Sequence, residues 1–194
     1  HLLRPYGAQL LAPAYSQVDP YVGYITRYAP GSRENGGVYS HAATWAVQAF
    51  AMADRIDDAR QIYRDLLPSA KPSALQYAAE PYVMPGNIDG PDSPNEGRAG
   101  WTWYTGSAAW MYRVALDWVC GIRATRKGLL IDSRSGSEPV QFKVRRKFRG
   151  DTFEISVQGK GTVQSVVCAT APINGTLIES TGTGTTHEVS VNLG

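Results

Sequence analysis

Two hydrophobic periods alternate along this chain with long stretches that follow neither. From Ser40, the apolar positions Ala42, Ala46, Ala49, Phe50 and Ala53 recur at spacings of three and four. That spacing predicts an amphipathic helix with Ser40 as N-cap, ending near Asp54. Ala59, Ile62, Tyr63 and Leu66 repeat the pattern, Asp57 and Asp58 suit its start, and Pro68 ends it. The two runs together predict a helical hairpin. A short helix is expected over 73–79, stopped by Pro81, and a third strong helix over Ser107–Val119, with Gly121 as its stop and Trp110, Val114 and Trp118 on a core-facing side. Between these helices, residues 1–40 are rich in Pro, Gly and Tyr, and residues 81–100 read as a second long loop. Irregular segments of that length are uncommon unless they are functional.

After about Asp132 the period changes from helical to two. Ser133–Pro139 is a polar linker, beyond which Phe153, Ile155 and Val157 alternate with Glu154, Ser156 and Gln158, as do Val189, Val191 and Leu193 with their neighbours. Asn174-Gly175 between Ile173 and Thr176-Leu177 is the strongest hairpin signal. The basic run Lys143–Arg149 is interrupted at strand spacing by Val144 and Phe148, with Phe142 before it, so it reads as a strand with one solvated face rather than a polyanion site. The expected organisation is therefore a helical region over 1–132 and a small antiparallel β domain over 133–194, an α+β class. Thr181–Thr186 reads as a mobile loop, since it lacks the lysine and following helix of a P-loop.

Composition narrows the function by exclusion. Nineteen Lys and Arg against seventeen Asp and Glu leave a net charge of +2 in 194 residues, too small to argue for nucleic acid or a membrane surface. Cys120 and Cys168 match no metal-ligand spacing and read as two reduced thiols of an intracellular protein. No metal or organic cofactor is expected. No apolar run reaches the length of a membrane span and no signal peptide is evident, so a cytoplasmic location is expected. The chain begins at His1 and enters directly into Leu2-Leu3-Arg4-Pro5, which suggests a piece of a longer protein.

The chemistry concentrates in two stretches that run into helices. Arg33-Glu34-Asn35-Gly36-Gly37-Val38-Tyr39-Ser40-His41 sets ionisable groups beside a glycine pair, where a backbone can approach a ligand. Trp101-Thr102-Trp103-Tyr104-Thr105-Gly106-Ser107 places a threonine hydroxyl and the Gly106 and Ser107 N–H groups at a positively polarised helix N-terminus, which suits an anion. Trp101, Trp103 and Tyr104 can stack on sugar faces, although clustered aromatics more often pack in cores. For that role Trp101 is the candidate.

These motifs resemble the inverting glycoside phosphorylases of glycoside hydrolase family ninety-four, which holds cellobiose, cellobionic acid and diacetylchitobiose phosphorylases and the phosphorylase-like end of cyclic β-1,2-glucan synthases. The resemblance rests on Tyr28–Gly37 with His41, on Glu80-Pro81-Tyr82-Val83, and on Gly90-Pro91-Asp92-Ser93-Pro94 leading into Trp103–Ala108, and covers most of residues 5–132. It implies a partial α/α toroid, the last helical hairpins of an (α/α)6 barrel, followed by a jelly-roll-like β domain. It further implies phosphate binding by His41, Thr105 and Gly106, and sugar contacts from Glu34, with Tyr28 and Arg33 lining the substrate site. Its substrates would be a disaccharide and inorganic phosphate as co-substrate, with a homodimer formed by the full-length parent.

Two departures bear on the acceptor sugar. Arg33 stands where cellobiose phosphorylases usually carry lysine, and Gly86 where they carry a sugar-contacting glutamine, which favours cellobionic acid slightly over cellobiose. The Gly97–Tyr104 run also resembles β-1,2-glucan members. The family's general-acid aspartate lies upstream of these motifs and has no match here, so the chain alone is expected to be inactive. Two other classes compete: a non-catalytic carbohydrate- or phosphate-binding fragment, and an α/α-toroid hydrolase using Asp89 or Glu96 as acid. For the second, the separation of the carboxylates decides.

Overall fold

The structure, a computed structural model, describes residues 1–103, 105–179 and 182–194, with the backbone alone of Thr105. It divides into two compact units, His1–Ala53 with Asp58–Val114, and Asp54–Asp57 with Ala115–Gly194. Among the described residues, no helix is long and apolar enough to cross a membrane.

In chain order the helical region runs through the short strands β1 (Leu3–Arg4) and β2 (Gly7–Ala8), strand β3 (Val38–Tyr39), helices α1 (Ser40–Met52), α2 (Ile56–Leu66) and α3 (Ala74–Tyr77), strands β4 (Asn87–Ile88) and β5 (Ala99–Gly100), and helix α4 (Thr105–Val114). Strands β3, β4 and β5 pair antiparallel, with Val38 opposite Ile88 and Asn87 opposite both Tyr39 and Gly100. Val38, Val47, Ala59, Ile62, Leu66, Ile88, Met111 and Val114 are buried in this unit.

Three details of the helices differ from the sequence expectation. The buried face of α1 is Ser40, Ala43, Thr44, Val47 and Ala51, not the series Ala42, Ala46, Ala49. Alanines surround this helix, and each contributes so little transfer energy, about 0.8 kcal/mol per methyl-sized group, that Val47 and packing set the face. The main helix partner of α1 is α4 rather than α2, so the two adjacent periodic runs do not form a packed hairpin. Trp110 is half-buried on α4, where Ser107, Met111 and Val114 take the core positions. Beyond Val114 the chain enters a π-helical turn, Ala115–Val119, whose Trp118 is half-buried beneath the Arg123 guanidinium at 4.6 Å.

The second unit contains β6 (Ile122–Ala124), β7 (Leu129–Ile131), β8 (Val140–Phe148), β9 (Asp151–Gly159), β10 (Val163–Cys168), β11 (Ala171–Pro172), β12 (Leu177–Ile178) and β13 (Thr186–Leu193). β structure thus begins ahead of the Ser133–Pro139 linker, in two strands too short for alternation to reveal them. One sheet has the order β11-β10-β13-β9-β8 and another β12-β7-β6. The larger sheet is mixed rather than wholly antiparallel, because β13 runs parallel to β9, Val189 opposite Ile155 and Val191 opposite Val157. Alternation shows which residues face inward, not which strand lies alongside or in which direction. Asn174-Gly175 makes a turn with Gly175 at φ 89°, but it joins β11 to β12, which lie in different sheets, so no hairpin forms there.

The basic strand β8 behaves as its spacing predicts, with Lys143, Arg145 and Lys147 exposed between half-buried Phe142, Val144 and Phe148. Of the expected mobile loop, residues 182–185 are instead tied to Asp151. The buried Asp151 carboxylate accepts from the N–H groups of Gly182, Gly184 and Thr185 at 3.0, 3.0 and 3.1 Å, while Thr181 lies outside the described residues. Both cysteines are free thiols.

Lys71 is an unusual element of the first unit. Its ammonium donates to the carbonyls of Tyr6, at 3.2 Å, and Asp65, and lies 5.7 Å from the Tyr77 ring centre. Burial lowers its pKa from 10.5 to about 8, and burial also raises Tyr77 to about 12. The unfolded lysine keeps its proton well above the pH at which the folded one loses it. Between about pH 8 and 10 the unfolded state therefore binds more protons, and this group's contribution makes stability rise with pH. The denaturation midpoint of the chain, measured relative to that of Lys71→Met, is expected to increase across that window; a flat or falling difference would contradict the assignment.

Candidate active site

The β3–β5 sheet gathers three loops, and glycines let their backbones touch. A Cβ on Gly37 would lie 2.5 Å from Asn87 Oδ1, one on Gly90 2.0 Å from the Gly36 carbonyl oxygen, and one on Gly31 2.2 Å from Ser93 N. Asn35, fully buried, ties the loops together: its Oδ1 accepts from Tyr15 N at 2.7 Å and its Nδ2 donates to the carbonyls of Tyr15 and Tyr28. Gln9 adds a bond from Nε2 to the Gly36 carbonyl.

On this frame stands Arg33 with φ 51°, a left-handed conformation that a non-glycine residue holds at a cost of order 1–3 kcal/mol. Its N–H donates to Asn87 Oδ1 at 2.7 Å, which fixes it there. The guanidinium lies 4.8 Å from the centre of the Tyr28 ring and 5.1 Å from that of Trp101, itself at φ 51°. Arg33, Tyr39, Gly86, Asn87 and Trp101 line one small cavity. Tyr28, Arg33, Glu34 and Trp101, four residues read from the sequence as sugar contacts, are thus neighbours. Gly86 presents no side chain to this cavity, and its N–H donates to the carbonyls of Gly100 and Trp101.

Glu34 is more than a surface partner of Arg33. Its side chain is 13% exposed, 3.5 Å from Arg33 Nε, and its Oε2 is buried without a hydrogen bond. His41 Nε2 and Ser40 Oγ are likewise buried without partners. A buried polar atom left unsatisfied costs about 1–3 kcal/mol, and a cluster of them asks for a ligand. The Ser40 hydroxyl caps nothing, since Ser40 is already the first helical residue and Tyr39 precedes it.

The His41 ring sits 5.5 Å from Trp110 of α4 and 5.3 Å from Trp45. Trp110 follows Gly106 by four residues, on the same helix face. Gly106 opens that face with nothing within 4 Å of where its Cβ would stand. His41 thereby meets α4 one turn beyond Gly106. The Thr105 side chain and the whole of Tyr104 lie outside the described residues.

The acidic loop residues serve the frame. Asp89 accepts from Asn87 Nδ2 and Ser93 Oγ at 2.8 and 2.9 Å, Asp92 Oδ2 from Ala14 N at 3.2 Å, and Glu96 Oε1 from the Tyr6 hydroxyl at 2.7 Å. Asn35, Tyr39 and Asn87 were not read from the sequence as site residues. A hint exists for Asn87 alone, a polar residue between a glycine and an aliphatic in a loop too long to be idle. Among the described residues, no group of His, Cys, Asp and Glu side chains could hold a metal ion.

Residues 1–121 match the model of the glycosyl hydrolase 94 superfamily, catalytic domain. The chain is 41% identical over 153 residues, 77% of its length, to a cyclic β-(1,2)-glucan synthase of Rhizobium meliloti, covering 5% of that protein. It is 34% identical over its full length to an N,N'-diacetylchitobiose phosphorylase of Vibrio proteolyticus, and 33% identical over 86% of its length to a cellobionic acid phosphorylase of Neurospora crassa. The chain spans 25% and 22% of those two phosphorylases.

Asn87 holds both the loop and the strained arginine, so Asn87→Ala is expected to lower the unfolding free energy by about 1–3 kcal/mol through the orphaned Arg33 N–H. Urea denaturation measures this. A loss below about 0.5 kcal/mol, as at an ordinary surface position, would mean that Arg33 is held by something else.

Proposed function

The chain belongs to the glycosyl hydrolase 94 superfamily, and on that premise we propose that it forms part of an inverting phosphorylase, one that uses phosphate to cleave a β-linked gluco-disaccharide to α-glucose 1-phosphate and a free acceptor sugar. Phosphate attacks the anomeric carbon on the face opposite the glycosidic oxygen. The C–O bond to phosphate forms as the bond to the acceptor breaks, and a general acid protonates the departing oxygen. The dianion must be held without quenching its nucleophilicity, and for this His41 Nε2 and the N–H of Gly106, with the Thr105 hydroxyl, are the assigned donors. The observation that carries the reading is the buried, partnerless Nε2 of His41 beside the face of α4 that Gly106 begins.

Glu34 Oε2 accepts from sugar hydroxyls in this scheme, and the Tyr28–Arg33–Trp101 cluster forms the acceptor side. Arg33 offers a planar fork suited to a carboxylate, which supports cellobionic acid as acceptor-bearing substrate. A second reading, a β-1,2-linked glucoside, is favoured by the 41% identity to the glucan synthase. We assign the helices to an α/α toroid and the β unit to a jelly-roll-like module. The described acidic loop residues Asp89, Asp92 and Glu96 are engaged in frame hydrogen bonds, which argues against their serving as the acid of a hydrolase.

In an active polypeptide containing this chain, glucose 1-phosphate should form only when phosphate is supplied, whereas equal release of free glucose without phosphate would mark a hydrolase. His41→Ala is expected to reduce kcat/KM for phosphate by on the order of 2–4 kcal/mol, the effect of removing one preorganised donor. A loss confined to sugar affinity would contradict that role. The 194-residue chain by itself should yield no glucose 1-phosphate from cellobiose, cellobionic acid or β-1,2-linked disaccharides, because an unprotonated glycosidic oxygen leaves poorly. Turnover abolished by changing Asp89, Asp92 or Glu96 would relocate the acid to this chain.

A further inference from the structure

Trp101 is a shared wall. On one side it lines the small cavity with Arg33, and on the other it lines an open cleft of about 640 Å³ together with Ala78, Glu80 and Gly100. That volume falls within the range of small-ligand sites, about 300–1,000 Å³. Next to it, Trp103 and Tyr82 are 68% and 76% exposed, and their rings meet nearly edge-on with centres 6.5 Å apart. Exposed aromatics of this size would ordinarily collapse onto apolar neighbours. Here Trp103 is kept outward by a left-handed backbone, φ 65°, and by a bond from its Nε1 to Glu80 Oε1 at 3.2 Å.

Aromatic faces set outward beside a carboxylate match the chemistry of a pyranose, which offers a C–H face to a ring and hydroxyl donors to an acceptor oxygen. A protein partner's apolar side chains would bring no hydroxyl donors to the Glu80 carboxylate, only one oxygen of which is held by Trp103 Nε1. Since Trp101 borders the acceptor side of the proposed site, a ligand extending past it meets this cleft next. We propose that Trp103, Tyr82 and Glu80 form an additional sugar subsite, which takes the glucosyl unit beyond the acceptor residue and makes the protein prefer gluco-oligosaccharides to disaccharides. The inference rests on the acceptor-side reading of Trp101 and adds the length of the substrate to it.

The test is calorimetric titration of the chain with β-1,2- and β-1,4-linked gluco-oligosaccharides from disaccharide to pentasaccharide, with tryptophan fluorescence followed in parallel. Affinity should rise about tenfold, equivalent to about 1.4 kcal/mol, on passing from disaccharide to trisaccharide in one linkage series. Trp103→Ala should remove that rise, and Tyr82→Ala should reduce it. Trp103 is largely exposed and bonded only at its ring nitrogen among the contacts described, so the variant is expected to fold, and an unchanged denaturation midpoint verifies this. Disaccharide binding with no gain in longer sugars, or a gain that survives both substitutions, overturns the subsite and leaves the acceptor site standing. If neither disaccharides nor oligosaccharides bind, both readings fail, and the aromatic platform is a packing face for other polypeptide.

Discussion

The contact on which the site depends is the approach of the Arg33–Gly37 backbone to Asn87. Gly37 leaves room for the Asn87 carboxamide, which accepts from the Arg33 N–H and donates to Asp89. A Cβ at position 37 would stand within 2.8 Å of the Arg33 backbone as well, so any larger residue would drive the loop off the strand. From this one junction follow the left-handed turn at Arg33, the stacking of its guanidinium between Tyr28 and Trp101, and the position of Glu34 at its side. The β3–β4 pairing then carries the chain straight into α1 with His41 in its first turn.

The distribution of satisfied and unsatisfied groups separates frame from site. Asn35, Gln9, Asp89, Asp92 and Glu96 all have partners within hydrogen-bonding distance. Glu34 Oε2, Ser40 Oγ and His41 Nε2 make no hydrogen bond, although Glu34 Oε2 lies 3.5 Å from Arg33 Nε as an ion pair. Tyr77 Oη is a fourth such atom among the described residues of the first unit, beside Lys71, whereas these three are close in sequence, near where the two motif-bearing segments meet through Arg33–Trp101 and His41–Trp110. Arg33 and Trp101, whose side chains stack on each other, both occupy left-handed backbone, as Asp54, Ala78, Trp103, Arg149 and Ala169 do elsewhere. Stored strain of this kind persists only where the surrounding structure over-determines it.

The candidate site could be read from the sequence because its chemistry lies in two short motifs. Residues 28–41 and 101–107 declared the ionisable groups, the glycine pair and the helix starts, and the structure brings Tyr28, Arg33, Glu34 and Trp101 together. Asn87 was not legible, since its role is to bond a backbone 54 residues away, and no local period encodes that. The face of α1 failed for a different reason: alanine-rich helices carry too little transfer free energy per position to define a side. In the β unit, the alternation of Phe153, Ile155 and Val157 correctly named the buried face, yet the parallel β9–β13 pairing and the separation of β11 from β12 are long-range choices. Asn174-Gly175 supplied a turn without supplying the hairpin that such a turn usually closes.

The central claim is that His41 and the first turn of α4 hold one phosphate. Nuclear magnetic resonance of the isotope-labelled chain, titrated with inorganic phosphate at constant pH and ionic strength, examines it at the atoms concerned. The imidazole signals of His41 and the amide of Gly106 are predicted to shift along one saturating curve with a common midpoint, while those of His187 in the β unit stay still. Separate midpoints for the two residues, or shifts no larger than those produced by chloride, would contradict it.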